Sequence, residues 1–574
     1  MESFRYNGIM RKNRLYFFGT ALLITLVFCI PFYQSTVFTG LDLTFHLSRI
    51  QGILTSIADH QLPLAVYPDK NFGFGYASPL FYCDLFLIPA SVLYSLHLPL
   101  VIVYKLYVFV IALLGSLAAL KLMCHLSKDD KTAVFCTSLF VFSSYHINDF
   151  FIRAALGEAM AFSLLPLVIL AMYRFLSEEK DNWQELCAVF SLLALSHLIT
   201  FALSCGVFLI LILVHADRVL KKQRLLSLGK AMASGFLVCA FFLLPLLQQM
   251  GSQTFQYERN RMLWGEEIMR TYSNTLLSAF SDYALVGYYD LELHHYFTGL
   301  TIVLSPLVYL LVRKKDRSRF MSASVLISMF LILATTDLLP LWKIPFLHSL
   351  QFTYRFNILS ASLLPAVLAY SLERTDTKIR NLLIPAVSVF IAVNTAVIYH
   401  QLITDPAKTH NLADEKTLFT GEFYENYNNH YNIAELASGE YLPAAHHMDY
   451  EAMQSVYELF DTSGTIEANR HGSHTELTVY ADADGFAALP VSWYLGYAAK
   501  KVTDDGEISV PAIRDEYTGR IIIPITSGEG HYEVFYKGTS LQKGSLLLSL
   551  LTLFLLLFSP LLLSRRKARR SSST

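Results

Sequence analysis

Thirteen apolar runs punctuate this chain, at about residues 15–33, 80–98, 99–122, 131–145, 157–175, 184–199, 200–216, 228–248, 297–312, 320–338, 356–373, 378–399 and 544–563. A helix needs roughly 20 apolar residues to cross the hydrocarbon core of a bilayer, so most of the chain reads as membrane-spanning. Composition leaves no soluble alternative. Hydrophobic residues make up 54% and charged residues 16% of the 574, against about 25% charge in a soluble protein. The net charge of −1 argues against nucleic acid as a partner. All seven cysteines lie in or beside apolar runs, and no CxxC or zinc spacing occurs, so they read as packing residues.

Basic clusters set the expected orientation. They lie at Arg5–Arg14, Lys121–Lys131, Arg174/Lys180, Arg218–Arg224, Arg313–Arg319, Arg374–Arg380 and Arg565–Arg570, which places both termini in the cytoplasm. The first run lacks a cleavage site and reads as an anchor. Two cytoplasmic tails require an even number of crossings, and 80–98 is the candidate re-entrant or interfacial helix. The expected fold is a polytopic α-helical membrane protein of about 12–13 transmembrane segments with an extracytoplasmic β-rich domain. Residues 1–400 form the membrane domain, with a first exterior loop at 34–79. Residues 544–574 form a last transmembrane helix and basic tail. Between them, 401–543 carries 22 Asp+Glu against 9 Lys+Arg. Its second half alternates with β periodicity between DADG, TDDGE and SGEG turns, which predicts a small sandwich-like domain. Its first half, 401–460, reads as irregular or helical.

The loop after the first run, TGLDLTFHLSRIQGILTSIADHQLPLAVYPDKNFGFGYASPL, holds the leading candidate. Asp42 stands where the chain leaves lipid, a position that suits a general base or metal ligand. It can equally cap the helix that follows. His46 and Arg49 share its helical face at i+4 and i+7. Leu47, Ile50, Ile53, Leu54 and Ile57 form an apolar stripe, predicting an amphipathic helix lying in the interface. In SSYHINDFFIRAALGEAMAF, Arg153 can hold a phosphate bidentately, and Glu158 at membrane depth is the second candidate acid. Spaced i and i+5, these two do not stack on one helix, and a structural Arg–Glu pair is the competing reading. His197 sits where two apolar runs meet and reads as helix packing or as a site residue. Gln351 and Arg355 stand among Phe352, Tyr354 and Phe356, a pattern fitting either a lipid-phosphate site or an aromatic belt. No Walker loop, GxGxxG or HExxH is present, and the adjacent pairs His294–His295 and His446–His447 are not spaced as ligands.

In chain order, LDLTFHLSRI, NFGFGYASPLFY, IRAALGEAMAFSLLPL, SHL, QFTYRF, GEYLP and LPVSWYLGY resemble bacterial glycosyltransferase C (GT-C) superfamily membrane proteins. The resemblance is stronger to the branch related to lipoteichoic-acid-glycosylating proteins, which also bears a pyruvoyl-tetrahydropterin-synthase-related label. It implies a polyprenyl-phosphate-linked sugar donor, an outer-face cell-envelope polymer or glycolipid acceptor, and a catalytic acid at Asp42. Arg153 and Glu158 match the family's arginine–glutamate motif, and Gln351 and Arg355 its aromatic arginine motif. Thr353 replaces the usual proline. The paired acids of some relatives are absent at Asp42, which leaves a divalent cation open. No three-histidine zinc site with a nucleophilic cysteine supports pterin chemistry. A transporter or flippase of lipid-linked saccharides and a non-catalytic envelope assembly factor are the rival expectations.

Overall fold

The computed structural model describes residues 13–258 apart from 39 and 41, then 266–282, 297–404 and 449–571, with short stretches between 412 and 444. The N-terminal basic cluster up to Lys12 and both adjacent histidine pairs lie outside the described residues. The helices in chain order are α1 (Arg14–Phe28), α2 (Leu43–Ala58), α3 (Leu100–Leu126), α4 (Asp130–Val141), α5 (Leu156–Leu176), α6 (Trp183–Ser196) and α7 (Leu198–Val214). They continue with α8 (Lys222–Met250), α9 (Leu300–Leu311), α10 (Arg319–Ala334), α11 (Asn357–Leu372), α12 (Thr377–Thr404) and α13 (Ser540–Ser571). Among the described residues, six helices are long and apolar enough to cross a membrane: α3, α5, α8, α11 with its preceding turn, α12, and α13 to Phe558. Five shorter apolar helices accompany them. The 80–98 run forms no spanning helix; it divides into short helices at Ser78–Phe81 and Ile88–Ser95.

The chain separates into two compact units, one of residues 1–46, 99–232 and 261–418, the other of 47–98, 233–260 and 419–574. In the first, α11 is buried along its whole length and packs against α4, α9 and α10, while α3 packs against α1, α4 and α5. Small residues permit close approach: a Cβ on Gly115 of α3 would lie 2.8 Å from Ser163 Oγ of α5. Helix α12 is mostly exposed, with Leu382, Val389 and Val393 uncovered, as an apolar face against lipid requires.

Residues 458–536 of the second unit form nine strands: β1 (Glu458–Phe460), β2 (Gly464–His471), β3 (His474–Ala481), β4 (Gly485–Ser492), β5 (Tyr497–Thr503), β6 (Gly506–Val510), β7 (Ile513–Arg514), β8 (Arg520–Ile525) and β9 (Gly528–Tyr536). They form two antiparallel sheets, β6-β5-β9-β3-β2 and β7-β8-β4-β1, around a core that includes Leu477, Val479, Leu489, Ile521, Ile523 and Val534. The alternation seen in TELTVYA is realised in β3, where Leu477 and Val479 face in and Glu476 and Tyr480 face out. The NFGFGYASP loop joins this unit through a hydrogen bond from Ser492 N to Phe74 O of 2.8 Å.

The expected interfacial helix is replaced by a buried one. Phe45, His46, Ser48 and Arg49 of α2 are buried together with the apolar stripe up to Ile53, so the polar face that would meet headgroups is packed away.

Candidate functional site

Asp42 is brought into place by backbone docking. Its N–H donates to Arg153 O at 2.9 Å, and Leu43 N–H to Gly40 O at 3.1 Å. Gly40 is required there. A Cβ would lie 2.7 Å from Ala154 Cβ and 2.8–2.9 Å from the Arg153–Ala154 backbone, atoms that cannot swing aside. Gly40→Ala should therefore push Asp42 off its station, at a cost of about 1–3 kcal/mol from overpacking. Thermal unfolding would show the loss, and a neutral substitution would contradict the docking role.

The opposite face of the site is built on an irregular turn. Residues Asn148–Ile152 form a π-turn, a distortion frequent at functional sites, and Ala154 follows at φ +53°. This corrects the i, i+5 expectation. Arg153 lies outside α5, and the left-handed residue turns its side chain back so that Nη1 reaches Glu158 Oε2 at 2.8 Å. The same nitrogen meets Asp149 Oδ1 at 3.3 Å, and Nη2 stands 3.7 Å from Asp42 Oδ2. Arg355 approaches from the turn before α11, its Nε 3.3 Å from the same Glu158 oxygen. Tyr145 donates to the other oxygen of Glu158.

Gln351 belongs to this cluster, accepting from Arg355 Nη1 at 2.6 Å. It does so from φ +64°, a conformation that costs a non-glycine residue about 1–3 kcal/mol and persists where surroundings impose it. Phe352 and Tyr354 shelter the guanidinium of Arg153 at 5.5 and 5.4 Å. Thr353, at the usual proline position, donates to Tyr272 O at 2.5 Å.

Exposure separates the roles. The side chains of Arg153 and Glu158 are each 2% exposed and that of Arg355 8%, whereas Asp42 keeps 34%. Asp42 is the acid that an outside molecule can touch. Its surroundings are otherwise dry, and that desolvation raises its carboxyl above the ordinary carboxylate range, with Arg153 and Arg355 pulling it back. Burial first and the Glu158 charge second hold Asp149 well above that range.

The remaining candidates are placed differently. His197 marks the break between α6 and α7, its Nδ1 2.8 Å from Thr200 Oγ1, within electrostatic range of Glu158. His46 is buried beside Phe45, its N–H closing the first helical bond on Asp42 O, so Asp42 also holds the N-cap position. Arg49 is taken up elsewhere, its guanidinium on Asp84 at 2.7–3.0 Å and on the Cys83 carbonyl. Among the described residues no group of three or more His, Cys, Asp and Glu is arranged to hold a metal ion; the acids of this cluster meet arginine instead. Sequence reasoning missed Gly40, Tyr145 and Asp149. The i, i+4 spacing of Asp149 and Arg153 is the signal that was there to be used.

A family model described as 6-pyruvoyl-tetrahydropterin synthase related domain, membrane protein, matches residues 80–403. An uncharacterised protein of Lactococcus lactis subsp. cremoris (strain MG1363) is 22% identical over 251 residues, 42% of this chain and 41% of the relative. Among solved structures, the cryo-EM structure of the mycobacterial arabinofuranosyltransferase AftD aligns at a TM-score of 0.46 and 15% identity, over 68% of this chain and 27% of that one. The chain thus spans about two fifths of the first protein and about a quarter of the second.

Proposed function

This chain belongs to the 6-pyruvoyl-tetrahydropterin synthase related family of membrane proteins, and we propose that it is an integral membrane glycosyltransferase moving a sugar from a polyprenyl-phosphate donor to a cell-envelope acceptor on the outer face. One observation carries the reading: a partly exposed carboxylate, Asp42, set on a buried Arg153–Glu158–Arg355 network. That is the arrangement of a reachable base held in register by charges that solvent does not screen.

In this reading Asp42 takes the proton of the acceptor hydroxyl as oxygen attacks the anomeric carbon. The bond to phosphate breaks, and the polyprenyl phosphate leaves with the electron pair. The fork of Arg153 is spent on Glu158, Asp149 and Asp42, so it acts as a positioning residue rather than a free phosphate clamp. Together with Arg355 it contributes positive potential beneath the site, where charge develops on the leaving group. Glu158 holds both arginines.

Because the Asp42 carboxyl is raised and must be ionised to act, the transfer rate should fall on acidification through a pKa above the ~3.9 of a free aspartate. A rate profile flat down to pH 4 would contradict the base assignment.

Both termini are placed in the cytoplasm and 401–543 outside, on the acidic excess of that region and the basic loops around it. A cysteine at the exposed position of Ser527 should react with an impermeant thiol reagent in intact cells. Reaction only after lysis would reverse the orientation. The function itself is tested by incubating reconstituted protein with radiolabelled polyprenyl-phosphate sugars and an envelope extract. Loss of label from one lipid into polymer or glycolipid is expected; label that crosses the bilayer still on its lipid would mark a flippase.

A further inference from the structure

A groove of about 940 Å3 opens within the second unit, between the C-terminal end of α2 with its following loop and the outward face of β3, β5 and β9. Its walls are fixed in advance. Asp59 Oδ1 accepts from Ser473 N at 3.0 Å in the β2–β3 turn, and only glycine fits beside it. Gly472 has φ +62°, and a Cβ there would lie 2.2 Å from the Asp59 carboxylate. Arg470 clips the same hairpin down through the carbonyls of Gly472, Pro490 and Pro68.

The lining excludes a polyanion. Arg470 is spent on three carbonyls, and Lys500 Nζ sits 2.7 Å from Glu507 and 3.0 Å from Glu533. Lys70 Nζ lies 3.5 Å from Asp69, so three committed cations stand beside four carboxylates, Asp59, Asp69, Glu507 and Glu533, which leaves no surplus positive field to draw phosphate. What the groove offers is mixed and close to neutral: the Phe535 ring, the second oxygen of Glu533, the exposed Asp69, the third proton of Lys500 and the exposed His471. Donors and acceptors interleaved with an aromatic ring match a ligand whose hydroxyls both give and take protons and whose C–H faces are apolar. The volume lies at the upper end of the roughly 300–1,000 Å3 of small-ligand sites.

We infer that this groove binds a neutral saccharide chain. Its use as the docking surface for the acceptor rests on the transferase reading; the binding itself does not.

The test is calorimetric titration of the full-length protein in nanodiscs with cellohexaose, chitohexaose, maltohexaose and poly(glycerol phosphate). At least one neutral hexaose should bind, and more tightly than the phosphate polymer. Phe535→Ala and Glu533→Gln should each weaken it about tenfold, a loss of about 1.4 kcal/mol, with unchanged Tm, while Asp42→Asn binds as wild type does. Glu533→Gln keeps the side-chain shape and so serves if Phe535→Ala unfolds. Absence of binding by every neutral hexaose, preference for poly(glycerol phosphate), or binding indifferent to both variants would overturn the inference. Sugar transfer without groove binding would sink the groove alone, and groove binding without transfer would sink the transferase alone.

Discussion

Arg153→Lys is expected to cost the protein several kcal/mol of stability as well as its activity. The guanidinium is 2% exposed and its two terminal nitrogens serve three carboxyl groups at 2.8, 3.3 and 3.7 Å. A lysine offers one point charge on a flexible stem and cannot reproduce the planar fork. Breaking a buried pair typically costs about 3–5 kcal/mol, because one charge is left in a dry place without its partner. Glu158→Gln should be comparably severe, since it strips the shared anion from Arg153 and Arg355 together. Thermal unfolding in nanodiscs measures the loss. A wild-type Tm for Arg153→Lys would mean that the network is not what holds this part of the helical unit.

Asp42→Asn should give the opposite signature, a stable protein that transfers almost nothing. Asparagine fills the N-cap position about as well as aspartate, and losing the charge relieves the desolvation that raises this carboxyl. Removing a general base typically lowers the rate by about 10²–10⁴-fold. Near-normal transfer by this variant would shift the assignment to another acid. The contrast between the two variants separates chemistry from scaffold, which neither does alone.

The fold class was legible because its causes are local. Apolar runs of spanning length must be helices in lipid, and strict alternation over residues 474–481 can bury only one face of a strand. The site was half legible. Asp42, Arg153, Glu158, Gln351 and Arg355 do come together, but their meeting depends on features that helical periodicity does not encode. These are a π-turn at Asn148–Ile152, two non-glycine residues at positive φ, and the close backbone approach that Gly40 permits. Arg49 shows the converse error. It lies on the expected face of α2, yet its partner Asp84 is 35 residues away, and no local pattern points to it. Nor does sequence show the three carboxyl groups that meet the fork of Arg153.

The central claim is that Asp42 drives cleavage of a sugar–phosphate bond. Its most direct measurement is the fate of a doubly labelled polyprenyl-phosphate sugar, marked in sugar and in lipid, given to wild-type and Asp42→Asn proteoliposomes with an acceptor extract. The account predicts that wild type parts the two labels, sugar to acceptor and phosphate to free polyprenyl phosphate. The variant should leave them together while still binding the lipid. Labels that stay together with wild type, or part equally with both proteins, would contradict it.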